Sequence, residues 1–168
     1  LQGIEHAMEA LLNGIAQMVN TTDAHRAFHG RGGAYPDSEQ WTLDWFAPVW
    51  VLTSFKPVTE DELAQCQMAL EQRWQTLAPG EPLNWVYQCR ATGQTETRLM
   101  AGSVPDKHVV TEQGAQYLVH VLRGQNHGLF LDMANGREWL KQHALHENIL
   151  NLFAYTCAFS VVALQGGA

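Results

Sequence analysis

The sequence predicts an α+β N-terminal module followed by the start of an open α/β sheet domain. Three observations carry that prediction. An amphipathic helix opens the chain. Short strand-like runs, rich in Val, Trp and Thr, bracket one well-capped helix between residues 26 and 104. The last twenty residues read as an apolar strand, a tight turn of small residues and an apolar helix. Open α/β sheets place cofactor sites at such a strand end.

The first helix is expected over Ile4 to Val19, where Ile4, Ala7, Met8, Leu11, Leu12, Ile15, Met18 and Val19 recur at three-four spacing. Asn20 to Asp23 ends it. His25 to Pro36 reads as a glycine-rich loop with Arg26, Arg31 and aromatic residues, a hairpin or linker segment in which a phosphate cradle is conceivable. It lacks the Lys and Ser/Thr of a P-loop. Trp41 to Phe55 suits strands, interrupted at Pro48. Thr59 and Glu62 form a capping-box pattern that starts a helix running to about Trp74. Trp85 to Arg90 and Thr97 to Met100 read as strands.

After the connector at Val104 to Asp106, strands are expected at Val109 to Glu112 and Gln116 to Leu122. A turn at Gly124 to Gly128 leads to a returning hairpin strand, Leu129 to Asp132. A short helix follows at Asn135 to His143. The closing strand is Ile149 to Phe153. The organisation expected is therefore an N-terminal helix over 1–24, a small strand-strand-helix-strand-strand module over 25–104, and a cofactor-domain start over 105–168.

Composition narrows the function. Of 168 residues, 46% are hydrophobic, enough for a real core, and six are Trp, which suits core anchors or interfaces. The net charge of -7 argues against a general nucleic-acid coat, leaving room only for a local basic groove. Six arginines could supply one: Arg26, Arg31, Arg90, Arg98, Arg123 and Arg137. The three cysteines are widely spaced and without a CxxC pair, so neither a disulfide framework nor a zinc site is expected. A reducing cytoplasm fits best. His25 and His29 lie four apart, but in a stretch that does not look helical, and no metal site is expected there. Cys157 reads as a small packing residue rather than a nucleophile. No run reaches membrane-spanning length. Leu1 is not a start methionine and no basic-apolar signal segment is present, so a processed or trimmed N-terminus is expected.

Two blocks carry a resemblance. Asn151-Leu152-Phe153-Ala154-Tyr155-Thr156-Cys157-Ala158-Phe159-Ser160 resembles the form Asn-Leu-Phe-Ser-Tyr-Thr-Gly-Gly-Phe-Ser of class I methyltransferases that use S-adenosylmethionine (SAM), in the version found in bacterial 23S rRNA methyltransferases. Ala154, Cys157 and Ala158 depart from it. Gly128 to Arg137 is similar to the hairpin just before that motif in the same family, matching at Gly128, Phe130, Leu131, Asp132 and Arg137 and departing at Met133 and Ala134. The joint match covers about the last 40 residues.

The resemblance implies a Rossmann-like α/β methyltransferase domain beginning near residue 105, with SAM as cofactor and rRNA as substrate. It implies that Phe153, Ala154, Tyr155, Thr156 and Ala158 line the methionine end of SAM, with Phe130, Asp132 and Arg137 closing the site. Arg137 would pair with the SAM carboxylate. Asp132 would accept from its ammonium, or merely cap the following helix. In the family the small preceding module is thought to help hold RNA, for which Arg26 and Arg31 are the candidates here. The family's acidic ribose-holding residue and its Asn/Asp-Pro-Pro segment have no counterpart, so the catalytic residues are unknown. The expectation is an N-terminal fragment of a longer enzyme. The alternative is a non-catalytic RNA- or protein-binding module. A half-built sheet would also expose apolar surface and favour a homodimer.

Overall fold

The structure is a computed structural model that describes residues 2–91 and 93–168, with side chains from Met8 onward. Ile4 and Ala7 of the expected helical stripe lie outside the described side chains. The first helix, α1, spans Gln2–Ala16. It buries Met8, Leu11 and Ile15, as its three-four spacing requires, and Met18 just beyond it. Arg73 closes the end of this segment, donating from Nε and Nη2 to the Met18 carbonyl at 3.1 and 2.7 Å.

Five strands then form one sheet in sequence order: β1 (His25–His29), β2 (Trp41–Phe46), β3 (Val49–Ser54), β4 (Trp85–Cys89) and β5 (Glu96–Ala101). All pairings are antiparallel except β3 with β4. That parallel pair needs a crossover, and helix α2 (Glu60–Leu77) supplies it. The capping box at its start is complete. The Glu62 amide donates to Thr59 Oγ1 at 3.2 Å, and the Thr59 amide donates to Glu62 Oε2 at 2.7 Å. Pro48 sits in the β2–β3 turn behind a cis Ala47–Pro48 bond, where a missing N–H costs the ladder nothing.

The expected module thus gains a strand. His25 to His29 is β1, not part of the glycine-rich loop. The loop proper begins at Gly30, which opens a 3-10 turn over Gly30–Gly32. Arg26 faces Asp44 across the β1–β2 ladder, and Ala27 is the extra residue of a bulge between Arg26 and Phe28.

The central strands are buried on both faces, and their alternation divides two cores. Trp50, Leu52, Trp85 and Tyr87 point to the α1–α2 side. There Trp41, Trp45 and Trp74 join them, so five of the six tryptophans anchor one core. Phe46, Val49, Val51 and Val86 point to the opposite side. That face is covered by the hairpin of β6 (Val109–Glu112) and β7 (Ala115–Leu118), with Val119, Val121, Leu129 and Leu131 from the chain that follows. The N-terminal sheet and the residues after 105 therefore share a core.

Helices α3 (Ala134–His143) and α4 (Ala158–Gln165) complete the chain and pack on each other. Two expected strands do not form. Leu129 to Asp132 is irregular and ends in a 3-10 turn over Leu131–Met133. Ile149 to Phe153 is also irregular, with Leu150 82% and Phe153 100% exposed. Both stretches are apolar enough for strands, but no described strand lies beside either to complete a ladder. The strand expected to reach Leu122 stops at Leu118.

Candidate cofactor turn and its surroundings

The segment from Ile149 to the start of α4 is a loop of unusual backbone. Phe153, Tyr155 and Cys157 all take left-handed conformations, with φ of 55°, 50° and 63°. Three non-glycine residues in that region within five positions mark stored strain, which concentrates at ligand sites. Cys157 immediately precedes α4, and no side chain caps that helix. Its first N–H groups are therefore left for an outside acceptor. Cys157 itself is exposed, so it is not the packing residue its size suggested. It occupies the left-handed position at the head of the helix, where glycine is the unstrained choice.

The loop from Gly124 to Phe130 holds this turn. Thr156 Oγ1 donates to the Gly128 carbonyl at 2.6 Å, and Tyr155 Oη donates to the Asn126 carbonyl at 3.3 Å. The Phe130 and Tyr155 rings lie 5.3 Å apart and tilted, both about half exposed. Ala158 packs against the second core. So Phe130, Tyr155, Thr156 and Ala158 come together, while Phe153 projects wholly into solvent.

Asp132 is exposed and close enough to Arg26 and Asp44 to bias their ionisation. It does not cap α3, whose N-terminus carries no side-chain cap. Arg137 departs furthest from expectation. Its side chain is 2% exposed and grips Glu112 through two bonds, Nε to Oε1 at 2.6 Å and Nη2 to Oε2 at 2.8 Å. Nη1 donates to the Phe130 carbonyl at 2.9 Å. The fork implied for a SAM carboxylate is spent on an internal carboxylate. Arg137 instead fixes the backbone beneath the Phe130 ring.

Arg26 is likewise engaged. It donates to both Asp44 oxygens, at 2.7 and 3.1 Å, and contacts His29 Nδ1 at 3.1 Å. Burial works against its charge, but the bonds to Asp44 outweigh that and raise its pKa. Burial pushes the Asp44 carboxyl upward, and Arg26 pulls it back only in part. Arg26 is thus a structural cation and not a free RNA contact. Arg31 is exposed, with its guanidinium 4.0 Å above the Phe55 ring.

Sequence reasoning missed Glu112, Asp44 and the Gln125–Asn126 backbone. Glu112 did leave a signal. It shares the inward face of β6 with Val110, and an inward carboxylate requires a partner. Among the described residues no group of three or more His, Cys, Asp or Glu is placed to hold a metal, and no helix is long and apolar enough to cross a membrane.

A mixed sheet, a strained turn and an uncapped helix start are features that cofactor-binding α/β chains share. The family model of S-adenosylmethionine-dependent methyltransferases matches residues 25–168. The chain belongs to that family, whose cofactor is SAM. It is 36% identical over 72 residues to the ribosomal RNA large subunit methyltransferase I of Pseudoalteromonas atlantica, covering 43% of this chain and 18% of that protein. It is 40% identical over 67 residues to the ribosomal RNA large subunit methyltransferase K of Neisseria meningitidis serogroup B, covering 40% and 19%. A solved Streptococcus mutans chain described as a SAM-dependent methyltransferase superposes with TM-score 0.68 at 25% identity, over 98% of this chain and 43% of that one. The chain therefore spans less than half the length of these relatives.

Proposed function

We propose that this chain is the N-terminal part of a SAM-dependent methyltransferase that acts on a base of rRNA in the cytoplasm. The observation that carries the reading is the family match across residues 25–168. The rRNA methyltransferase names of its relatives supply the substrate class. On this reading the chain divides into a helix over 1–24, a sheet module over 25–104 and the first part of the cofactor domain over 105–168. The segment that holds the target base lies outside it.

The turn fits the methionine end of SAM in its chemistry. The uncapped α4 start offers N–H groups for the carboxylate. Asp132 offers an exposed acceptor for the ammonium. Phe130, Ala154, Tyr155, Thr156 and Ala158 supply the wall, and Arg137 holds Phe130 from behind. When bound, SAM supplies an electrophilic methyl group on its sulfonium. This chain's residues orient the donor and shield it from water.

Isothermal titration with SAM tests the reading. Binding that Tyr155→Ala and Asp132→Ala each weaken supports it. No SAM binding by a protein that still binds rRNA supports the non-catalytic binding module instead. The intact mass of the natural gene product tests the fragment assignment. The exposed run of Leu150, Leu152 and Phe153 offers a second copy an apolar surface, and sedimentation at rising concentration tests that homodimer.

A further inference from the structure

Arg31, Phe55, Lys56 and Arg90 converge on an open depression of about 490 Å³ that the cofactor turn does not use; Glu39 and Gln40 complete its wall. The topology makes this meeting. β3 and β4 run parallel, aligned with Ser54 beside Cys89. Phe55, Lys56 and Arg90 therefore emerge together just past their C-terminal ends, the place where α/β sheets bind ligands. Two backbone bonds fix them, Phe55 N–H to Gln40 O and Arg90 N–H to Ser54 O, each 2.8 Å. Arg31 arrives from the turn after β1. Gly30 is required there, since a Cβ would stand 1.9 Å from the Ser38 carbonyl oxygen.

The charge in this depression is prepared and unpaired. Arg31 and Lys56 have no carboxylate partner among the described residues. Phe55 lies 4.0 Å from the Arg31 guanidinium and 5.9 Å from that of Arg90, which holds Arg31 in place by a cation–π contact. Arg90 donates to Gln88 Oε1 at 2.6 Å and to the Gln125 carbonyl, so its plane is fixed as well. Burial holds the Arg90 guanidinium below its ordinary value, Arg26 and Arg31 push it the same way, and Asp44 opposes them. Only Glu39 brings a negative charge into the wall. On a chain of net charge -7, three cations lining one depression favour an anion.

We propose that Arg31, Lys56 and Arg90, gathered with Phe55 around this depression, form a subsite for a backbone phosphate of single-stranded RNA. The proposal rests on the reading of the protein as one that acts on RNA. The subsite has a route to the cofactor turn. The Gln125 carbonyl takes the Arg90 bond, and the next residue, Asn126, takes the Tyr155 bond. One short loop thus touches both sites.

The test is fluorescence anisotropy of the chain with a labelled single-stranded RNA of about twelve nucleotides, across a salt series. Wild type is expected to bind with affinity that falls with salt. Arg31→Ala and Lys56→Ala are each expected to weaken binding about threefold to tenfold and to lower the log–log salt slope by about 0.7. Arg31→Lys should restore the slope. Arg98→Ala, which removes a partly exposed arginine paired with Glu60, should leave both quantities unchanged. Both pocket residues are exposed, so unchanged thermal midpoints verify that the variants fold. RNA binding that Arg31→Ala and Lys56→Ala leave intact overturns the subsite while the RNA reading stands. No RNA binding by wild type at low salt overturns both.

Discussion

Arg137 in α3 and Glu112 at the end of β6 meet in a buried, doubly bonded ion pair, 2.6 and 2.8 Å long. The pair ties the second hairpin to the helix below the candidate cofactor site. Removing either partner strands a buried charge, which costs about 3–5 kcal/mol. Arg137→Ala and Glu112→Ala should each lower the urea midpoint by a corresponding amount. The double change Arg137→Met with Glu112→Leu should cost far less than the sum. Near-additive losses would show that the two residues act separately.

His127 sets an acid limit on the fold. Burial drives its pKa from 6.5 down to about 4, with Arg90 adding repulsion, and its Nε2 has no partner. The unfolded chain binds that proton first. Stability is therefore full above pH 6.5, falls as the pH drops toward about 4, and levels off below. The loss amounts to about 3 kcal/mol. Asp44 acts with the opposite sign: its raised carboxyl pKa means a contribution lost as pH rises above 3.8. The clean measurement is the difference between wild type and His127→Phe in thermal midpoint across this window. The variant should lose markedly less on acidification, and parallel curves would acquit His127.

Local physics was legible in the sequence; partnerships across the sheet were not. Thr59 and Glu62 mark the start of α2 because a capping box is written in four adjacent residues. Pro48 marks the β2–β3 turn for the same reason. The strand at His25 to His29 was hidden by the glycines after it. Its ladder is specified by Thr42 to Trp45, many residues away. Arg137 and Arg26 read as exposed ligand contacts because their acids, Glu112 and Asp44, lie 25 and 18 residues distant. The apolar run at Ile149 has strand composition, but composition supplies no neighbour to pair with.

Cys157 occupies a left-handed position, φ 63° and ψ 23°, that disfavours any side chain by about 1–2 kcal/mol. Cys157→Gly should relieve that strain, less the entropy a glycine adds to the unfolded chain. A net gain of about 0.5–1 kcal/mol, or roughly 1–4 °C in thermal midpoint, is expected for a domain of this size. Because Cys157 is exposed, little packing is lost in exchange. A lower midpoint would mean that the thiol makes a contact outweighing the strain.

Gly128 is the pivot between the loop and the cofactor turn. Its φ of 111° is open only to glycine, and a Cβ would fall 2.7 Å from the Leu118 carbonyl oxygen. Its own carbonyl accepts from Thr156. Gly128→Ala must shift the loop, so it tests the site and the fold together. Thr156→Val separates them, because Thr156 is largely exposed and its removal deletes one bond worth about 1 kcal/mol. Titration with SAM should show about fivefold weaker binding for Thr156→Val, with a thermal midpoint lowered by no more than about 2–4 °C. Gly128→Ala should lose at least about tenfold in affinity together with some stability. If Thr156→Val binds SAM as wild type does, the anchored turn is a folding device, and the wall of the site must be sought on the Phe130 side.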